Sequence, residues 1–219
     1  MLFRSKPITL VGISEQDVSR LGWPIDDGLL CRAIDRLEAD GAAAIGVDLY
    51  RDKGVGPRQA CLRERVKRPG SHLVSIFNAA SAIGPIPGTP VERQAFNDLV
   101  LDPDAVVRRD LVHVGGQDGA TVSLPMRLQE LASGSDRLRR AIDNGSLAGP
   151  WLDSVWWAGS SGGYRDLDAA GYQQMLPFRA PGSFPSYDFG TLLANRVPPA
   201  AIRSKIVLIG STAPSLRDL

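Results

Sequence analysis

Gly159-Ser160-Ser161-Gly162-Gly163 matches G-x-S-x-G, the strand-to-helix elbow that exposes a nucleophilic serine. Val155-Trp156-Trp157-Ala158 offers a strand ahead of it, but no good helix follows. A hydrolase of that elbow type also needs its histidine after the serine, whereas His72 and His113 both precede Ser161. The segment reads as a flexible turn, with a serine hydrolase using Ser161 kept as an alternative. No G-x-G-x-x-G or G-x-x-x-x-G-K-[ST] occurs, so dinucleotide and P-loop phosphate chemistry lack their cradle. Two histidines without a paired carboxylate motif do not make a catalytic metal site, and no C-x-x-C spacing exists for zinc or thiol exchange. No catalytic residue is assigned, and no cofactor or metal is expected.

Polar groups at the ends of buried strands are the remaining chemistry. In open parallel sheets ligands bind beyond the carboxyl ends of the strands. Three such ends carry Ser14 and Glu15, Asp48, and Ser211 and Thr212. Polar exits also serve as caps and turns, so both uses stay open at these positions. Arg108 and Arg109 are adjacent in a strand, where alternation points them to opposite faces. One is expected to turn inward toward Asp104, Asp48 or Asp218, as a buried structural pair or as a bidentate grip on an anionic ligand. Trp23, at the tip of the Leu21-Gly22-Trp23-Pro24 loop, completes the candidate ligand contacts. Trp151, Trp156 and Trp157 read as core or interface.

These groups must be positioned by a sheet. Lys6 to Ile13, Ala42 to Leu49 and Lys205 to Thr212 contain short continuous apolar runs, the pattern of strands buried on both faces. A helix from about Asp27 to Asp40 separates the first two, because Leu30, Ile34 and Leu37 recur at helical spacing, Asp26 or Asp27 can cap its start and Gly41 its end. The chain thus opens with a βαβ unit after a polar exit at Ser14 to Asp17, and its last strand returns to the same sheet. Further strands are expected at 73–78, 106–114, 155–158 and 175–178. Helices are expected at 123–133, with an extension over 137–142, and at 187–195 capped by Ser186. The implied fold is α/β: a single domain over residues 1–219 with a mainly parallel mixed central sheet flanked by helices.

Composition narrows the function class. The 219 residues carry 25 basic and 24 acidic side chains, a net charge of +1, so no overall field draws the chain to nucleic acid. Residues 51 to 72 are locally basic and read as a solvated loop and helix, with an anion-binding patch as the weaker use. Cys31 and Cys61 are expected as free thiols, with a disulfide as the alternative. No apolar run approaches the roughly 20 residues that span a bilayer, and the first six residues have no signal-peptide core.

In this order the pieces resemble the type-two CHASE domain, the cyclase- and histidine-kinase-associated sensory extracellular domain. The resemblance is carried by Ile8-Thr9-Leu10-Val11-Gly12-Ile13, Leu21-Gly22-Trp23-Pro24, and the helix leading to Gly41 through Asp48. It continues with Asp102 through Arg109, Phe178 through Phe184, and Lys205 through Ala213 to Asp218. Ile25-Asp26-Asp27 departs from the family pattern after the tryptophan, Ala105 stands where a glycine is usual, and residues 51 to 72 lack the usual acidic helix start. The resemblance implies an extracytoplasmic sensor of a bacterial inner-membrane receptor, periplasmic or at the cell surface, flanked by transmembrane helices and coupled to a cytoplasmic cyclase or kinase. It also implies a homodimer and a stimulus that is a small molecule or an extracytoplasmic protein. A ligand-free dimerisation module is the alternative within the same architecture.

Overall fold

The computed structural model describes residues 8–78, 80–114, 121–136, 140, 164–165, 168 and 170–216. Six parallel strands form the central sheet: β1 (Ile8–Ile13), β2 (Ala44–Val47), β3 (Leu73–Phe77), β4 (Gln94–Phe96), β9 (Ser186–Asp188) and β10 (Ile206–Ser211). Their spatial order is β4-β3-β2-β10-β1-β9. The last strand lies between the first two, with Ile8 opposite Ile206 at one end of the β1–β10 ladder and Ile13 opposite Ser211 at the other. The expectation that it returns to the sheet is met, and it does so at the centre, where both faces are covered.

The crossover helices share one face. α1 (Glu15–Leu21), α2 (Asp27–Ala39), α3 (Ala60–Lys67) and α5 (Phe189–Leu193) pack there over Val11, Ile13, Ile45, Val47, Val207 and Ile209. The steps β1 to β2, β2 to β3 and β9 to β10 all run toward the β4 edge, and right-handed crossovers stepping one way place their helices on one side. α4 (Leu124–Ser133) covers the other face, with Leu124 and Leu128 on Ala44, Val74 and Ile76. Gly46 lets that helix come close: a Cβ there would lie 2.8 Å from Leu208 and 2.9 Å from Leu128.

A smaller antiparallel sheet is built on β6 (Val107–Val114). β5 (Val100–Leu101) and β7 (Thr121–Val122) pair with its two halves, and β8 (Tyr172–Met175) pairs along it. Val100 and Met175 both face Arg109 across the ladders.

Local chemistry explains several elements. In α2 the expected stripe Leu30, Ile34 and Leu37 is fully buried. Asp26 caps it by accepting from the Gly28 N–H at 2.8 Å, and Gly41, at φ +83°, turns the chain out of the helix. Asp27, the other capping candidate, is turned instead to Arg51.

Five expectations need correction. Ser14 to Asp17 is not an exit loop but the start of α1, because Ser14 and Asp17 form a capping box. Residues 186–188 are strand rather than cap and helix, since β9 gains the ladder of β1, and α5 begins only at Phe189, with Asp188 at the N-cap position. The strand expected at 175–178 lies at 172–175, where it finds β6. The basic stretch is not wholly solvated: Arg51 is only 6% exposed and pairs with Asp27, and Arg65 pairs with Asp35. Cys31 and Cys61 form a disulfide rather than two free thiols, because packing α3 on α2 brings their Cα atoms to 6.3 Å. The strand at 155–158, the Ser161 segment, Trp151, Trp156, Trp157, Asp218 and, apart from Arg140, the extension over 137–142 lie outside the described residues.

Candidate functional site

The carboxyl edge of the parallel sheet brings β2, β10 and β1 side by side, so Asp48, Ser211, Thr212, Ser14 and Glu15 all lie along it. Most of these groups are already engaged. The Ser14 hydroxyl accepts from the Asp17 N–H at 3.3 Å and donates to the Asp17 carboxylate at 3.1 Å. Glu15 accepts from the Ser215 hydroxyl at 2.8 Å and its N–H at 3.2 Å, tying α1 to the chain beyond β10. Ser211 Oγ accepts from the Ala213 N–H at 3.3 Å. The Thr212 side chain seals Gly12, where a Cβ would lie 2.6 Å from Thr212 Oγ1. No hydrogen bond among the described residues joins Trp23, 41% exposed, to these groups.

The fold supplies the reason. A strand-end crevice opens where neighbouring crossovers leave toward opposite faces. Here the helices that follow β1, β2 and β9 all go to the same face, so the strand exits close on one another.

Asp48, exposed at the end of β2, differs from the rest in bonding across the sheet edge to the strands beside it. It accepts from Asn97 Nδ2 at 2.9 Å; Asn97 Oδ1 accepts from the Tyr50 hydroxyl at 2.7 Å; and the Tyr50 oxygen accepts from Asn78 Nδ2 at 3.1 Å. A continuous polar chain thus crosses the exits of β2, β4 and β3. Sequence reasoning missed Tyr50, Asn78 and Asn97. Asn78 and Asn97 each follow directly on a strand, the signal that singled out Asp48. Around Asp48 the edge offers carboxylate, amide and phenol groups for hydrogen bonding.

Arg108 and Arg109 belong to a separate cluster in the antiparallel sheet, and alternation sends them to different surroundings. Arg109 is 1% exposed. Its Nε donates to Asp102 Oδ1 at 2.9 Å, its Nη1 donates to Gln173 Oε1 and the Asp168 carbonyl, and its Cζ lies 5.6 Å from the centre of the Tyr164 ring. The inward arginine is as expected, but its carboxylate is Asp102, not Asp104, Asp48 or Asp218. Asp102 lies before a turn that folds straight back onto β6. Arg108 stays at the surface in a bidentate pair with Asp104, at 2.7 and 2.8 Å, and its Nη1 also reaches Asp102 at 3.0 Å. Burial pushes the Asp102 carboxyl up, but hydrogen bonds from Arg108, Arg109 and Tyr164 outweigh it and hold the group below the usual carboxylate range. The Tyr164 phenol is raised by burial and by its bond to Asp102.

A second buried pair ties α2 to the loop after β2. Asp27 accepts from Arg51 Nε at 3.1 Å and from the Val55 N–H at 2.9 Å, while Arg51 Nη2 donates to the Ile25 carbonyl at 3.1 Å. Burial raises the Asp27 carboxyl against the pull of both partners. Both arginine clusters are internally matched and anchor the fold.

The two histidines are also placed. His72 Nδ1 lies 2.6 Å from the Ala42 carbonyl, and His113 packs edge-on against Tyr172 at 5.7 Å in the other sheet. Among the described residues no group of three or more His, Cys, Asp or Glu could hold a metal ion, and no helix is long and apolar enough to cross a membrane.

No curated protein and no solved structure matches the chain. The family model of the CHASE2 domain matches residues 1–219, the whole chain. That family is an extracellular sensory domain of signalling receptors, sensory rather than catalytic. The chain belongs to the CHASE2 family.

Proposed function

We propose that this chain is the extracytoplasmic input domain of a bacterial inner-membrane receptor, flanked by transmembrane helices and acting as a homodimer on a cytoplasmic cyclase or kinase. Its stimulus is a small molecule or an extracytoplasmic protein, recognised at the carboxyl edge of the sheet with Asp48 as the principal contact. Beyond family membership, the Cys31–Cys61 disulfide carries the placement, because such bonds persist in oxidising compartments and are rare in the cytosol. The adjacency of β1 and β10 supports the coupling, since a shift in their ladder reaches both ends of the domain at once.

Thiol labelling in intact cells that express the full receptor tests the placement. Protection of both cysteines until a reductant is added supports it, and complete labelling without reductant overturns it. A thermal-shift screen of the purified domain against nucleotides, organic acids, sugars and amino acids tests recognition, since a ligand selective for the folded state raises the midpoint by RT ln(1 + [L]/Kd). A saturable shift abolished by Asp48→Asn supports the edge site. A flat screen with a stable dimer in sedimentation replaces it with a purely dimerising role.

A further inference from the structure

We infer that the groove between α1, α2 and α5 is a binding site for a small organic anion with an apolar body. Two adjoining hollows of about 190 and 240 Å³ form it, sharing Arg32 and Leu193 in their walls. Helical spacing aims the lining residues there: Asp17, Arg20 and Leu21 are neighbours on one side of α1, and Leu29, Arg32 and Arg36 form one stripe of α2. Leucines make an apolar floor, and guanidinium groups stand at the rim.

The charges in the groove are unevenly matched. Asp17 is buried and occupied by Ser14 and the Gly190 N–H, Asp35 is held by Arg65, and Arg36 is engaged by Asp40 and Asn195. Arg20 and Arg32 are exposed and have no hydrogen bond or ion pair among the described residues. Two guanidinium groups beside a leucine floor suit a ligand with a carboxylate head, which arginine grips bidentately, and a ring or short chain that covers the leucines.

The walls are braced without a ligand. The Gly190 N–H donates to Asp17 Oδ1 at 2.9 Å, fixing α1 to α5, and Arg36 Nη1 donates to Asn195 Oδ1 at 2.6 Å, fixing α2 to the residues after α5. A Cβ at position 190 would lie 2.5 Å from Asp17 Oδ1, so glycine is what lets the first brace close. A preformed groove binds at lower entropic cost. Each hollow falls below the roughly 300–1,000 Å³ of drug-sized pockets, which suits a small acid. The groove lies on the helical face, apart from the carboxyl edge, and its binding chemistry stands independently of recognition there.

Phenylacetate is the probe, followed by calorimetry and by amide NMR shifts of the purified domain. Saturable shifts at Leu21, Gly190 and Leu193 are expected, with a Kd on the order of 1 mM. Arg20→Gln with Arg32→Gln weakens binding by about tenfold or more, since each hydrogen bond to a charged group is lost. Arg63→Gln, on the exposed side of α3, leaves affinity unchanged, and neutral phenylacetamide produces no shift. Absence of saturable shifts at those three amides, or undiminished affinity in the double variant, overturns the site. Inorganic phosphate binding as tightly as phenylacetate overturns the apolar part of the ligand class. In the full receptor, binding without a change in output supports the groove and leaves recognition of the stimulus to the carboxyl edge. Output driven by another ligand while phenylacetate leaves the groove silent in NMR overturns the groove and supports recognition at that edge.

Discussion

The two sheets of this domain are held together by different physics. In the six-stranded parallel sheet, β1, β2 and β10 are sandwiched between helices and contribute Ile, Val, Leu and Ala to the core. The force there is burial, which is non-directional and spread over many side chains. The antiparallel sheet has a small apolar cluster of Val112, Val122 and Met126, and its most buried large side chain is Arg109. Its geometry is set by directed bonds from one guanidinium to Asp102, Gln173 and the Asp168 carbonyl. The parallel sheet should therefore yield gradually to lost volume, and the antiparallel one sharply to lost complementarity.

The largest loss is expected from Phe189→Ala, which empties a fully buried site under α5; large-to-small changes of this kind cost about 3–5 kcal/mol. Urea unfolding measures it, and a cost near zero would show that the helical layer is not what secures the parallel sheet. Replacing both Cys31 and Cys61 by Ala comes next, at about 2–4 kcal/mol for a bridge of sequence separation 30. That loss should appear equally in wild-type protein melted under reductant.

Acid separates the two regions by sign. Asp102 is held below the usual carboxylate range, so the stability it contributes is complete above its unfolded value of about 3.9 and is lost as pH falls through the folded value. Asp27 is raised, so its contribution is complete below about 3.9 and is lost as pH rises through its folded value. Asp102→Asn should therefore flatten the acid limb of the stability curve. Asp27→Asn should gain stability relative to wild type as pH rises from about 3.9. Parallel curves for the two variants would abolish the contrast.

Arg109→Met tests whether the ionic lobe can fail alone. Hydrogen exchange should quicken in β5, β6 and β8 while β2, β3 and β10 keep their protection; loss across both sheets would mean one cooperative unit. Ser14→Ala should cost about 1 kcal/mol, as for other helix caps, and leave ligand response unchanged. Arg108→Gln should have the smallest effect, a small fall in melting temperature, because its pair with Asp104 is exposed and the buried Asp102 keeps its bonds from Arg109 and Tyr164.

What could be read from sequence follows the same division. β1, β2 and β10 announced themselves because burial on both faces demands unbroken apolar runs, and α2 because its stripe has helical period. β9 did not, because Ser186-Tyr187-Asp188 becomes a strand only through β1, far away in sequence. α1 did carry a local signal, the Ser14–Asp17 capping box, but seven residues are too few for periodicity to show. An inward arginine was legible from alternation at 108–109, whereas its partner depended on how the turn at 103–105 folds. The disulfide required knowing that α3 lies on α2. At the site, Asp48 was visible as a strand exit, while the Tyr50, Asn78 and Asn97 chain exists only once β3 and β4 are side by side.

The central ladder also has a mechanical meaning. Because β1 and β10 run parallel over six pairs, the residue entering β1 and the residue leaving β10 lie at opposite edges of the sheet, about 17 Å apart along the strands at 3.3 Å per residue. Tension between those two points pulls the strands lengthwise past each other, loading the whole ladder in shear instead of peeling its bonds one by one. A domain strung this way resists stretching along its own axis, so a pull or push at one end is delivered to the other as displacement rather than absorbed as unfolding.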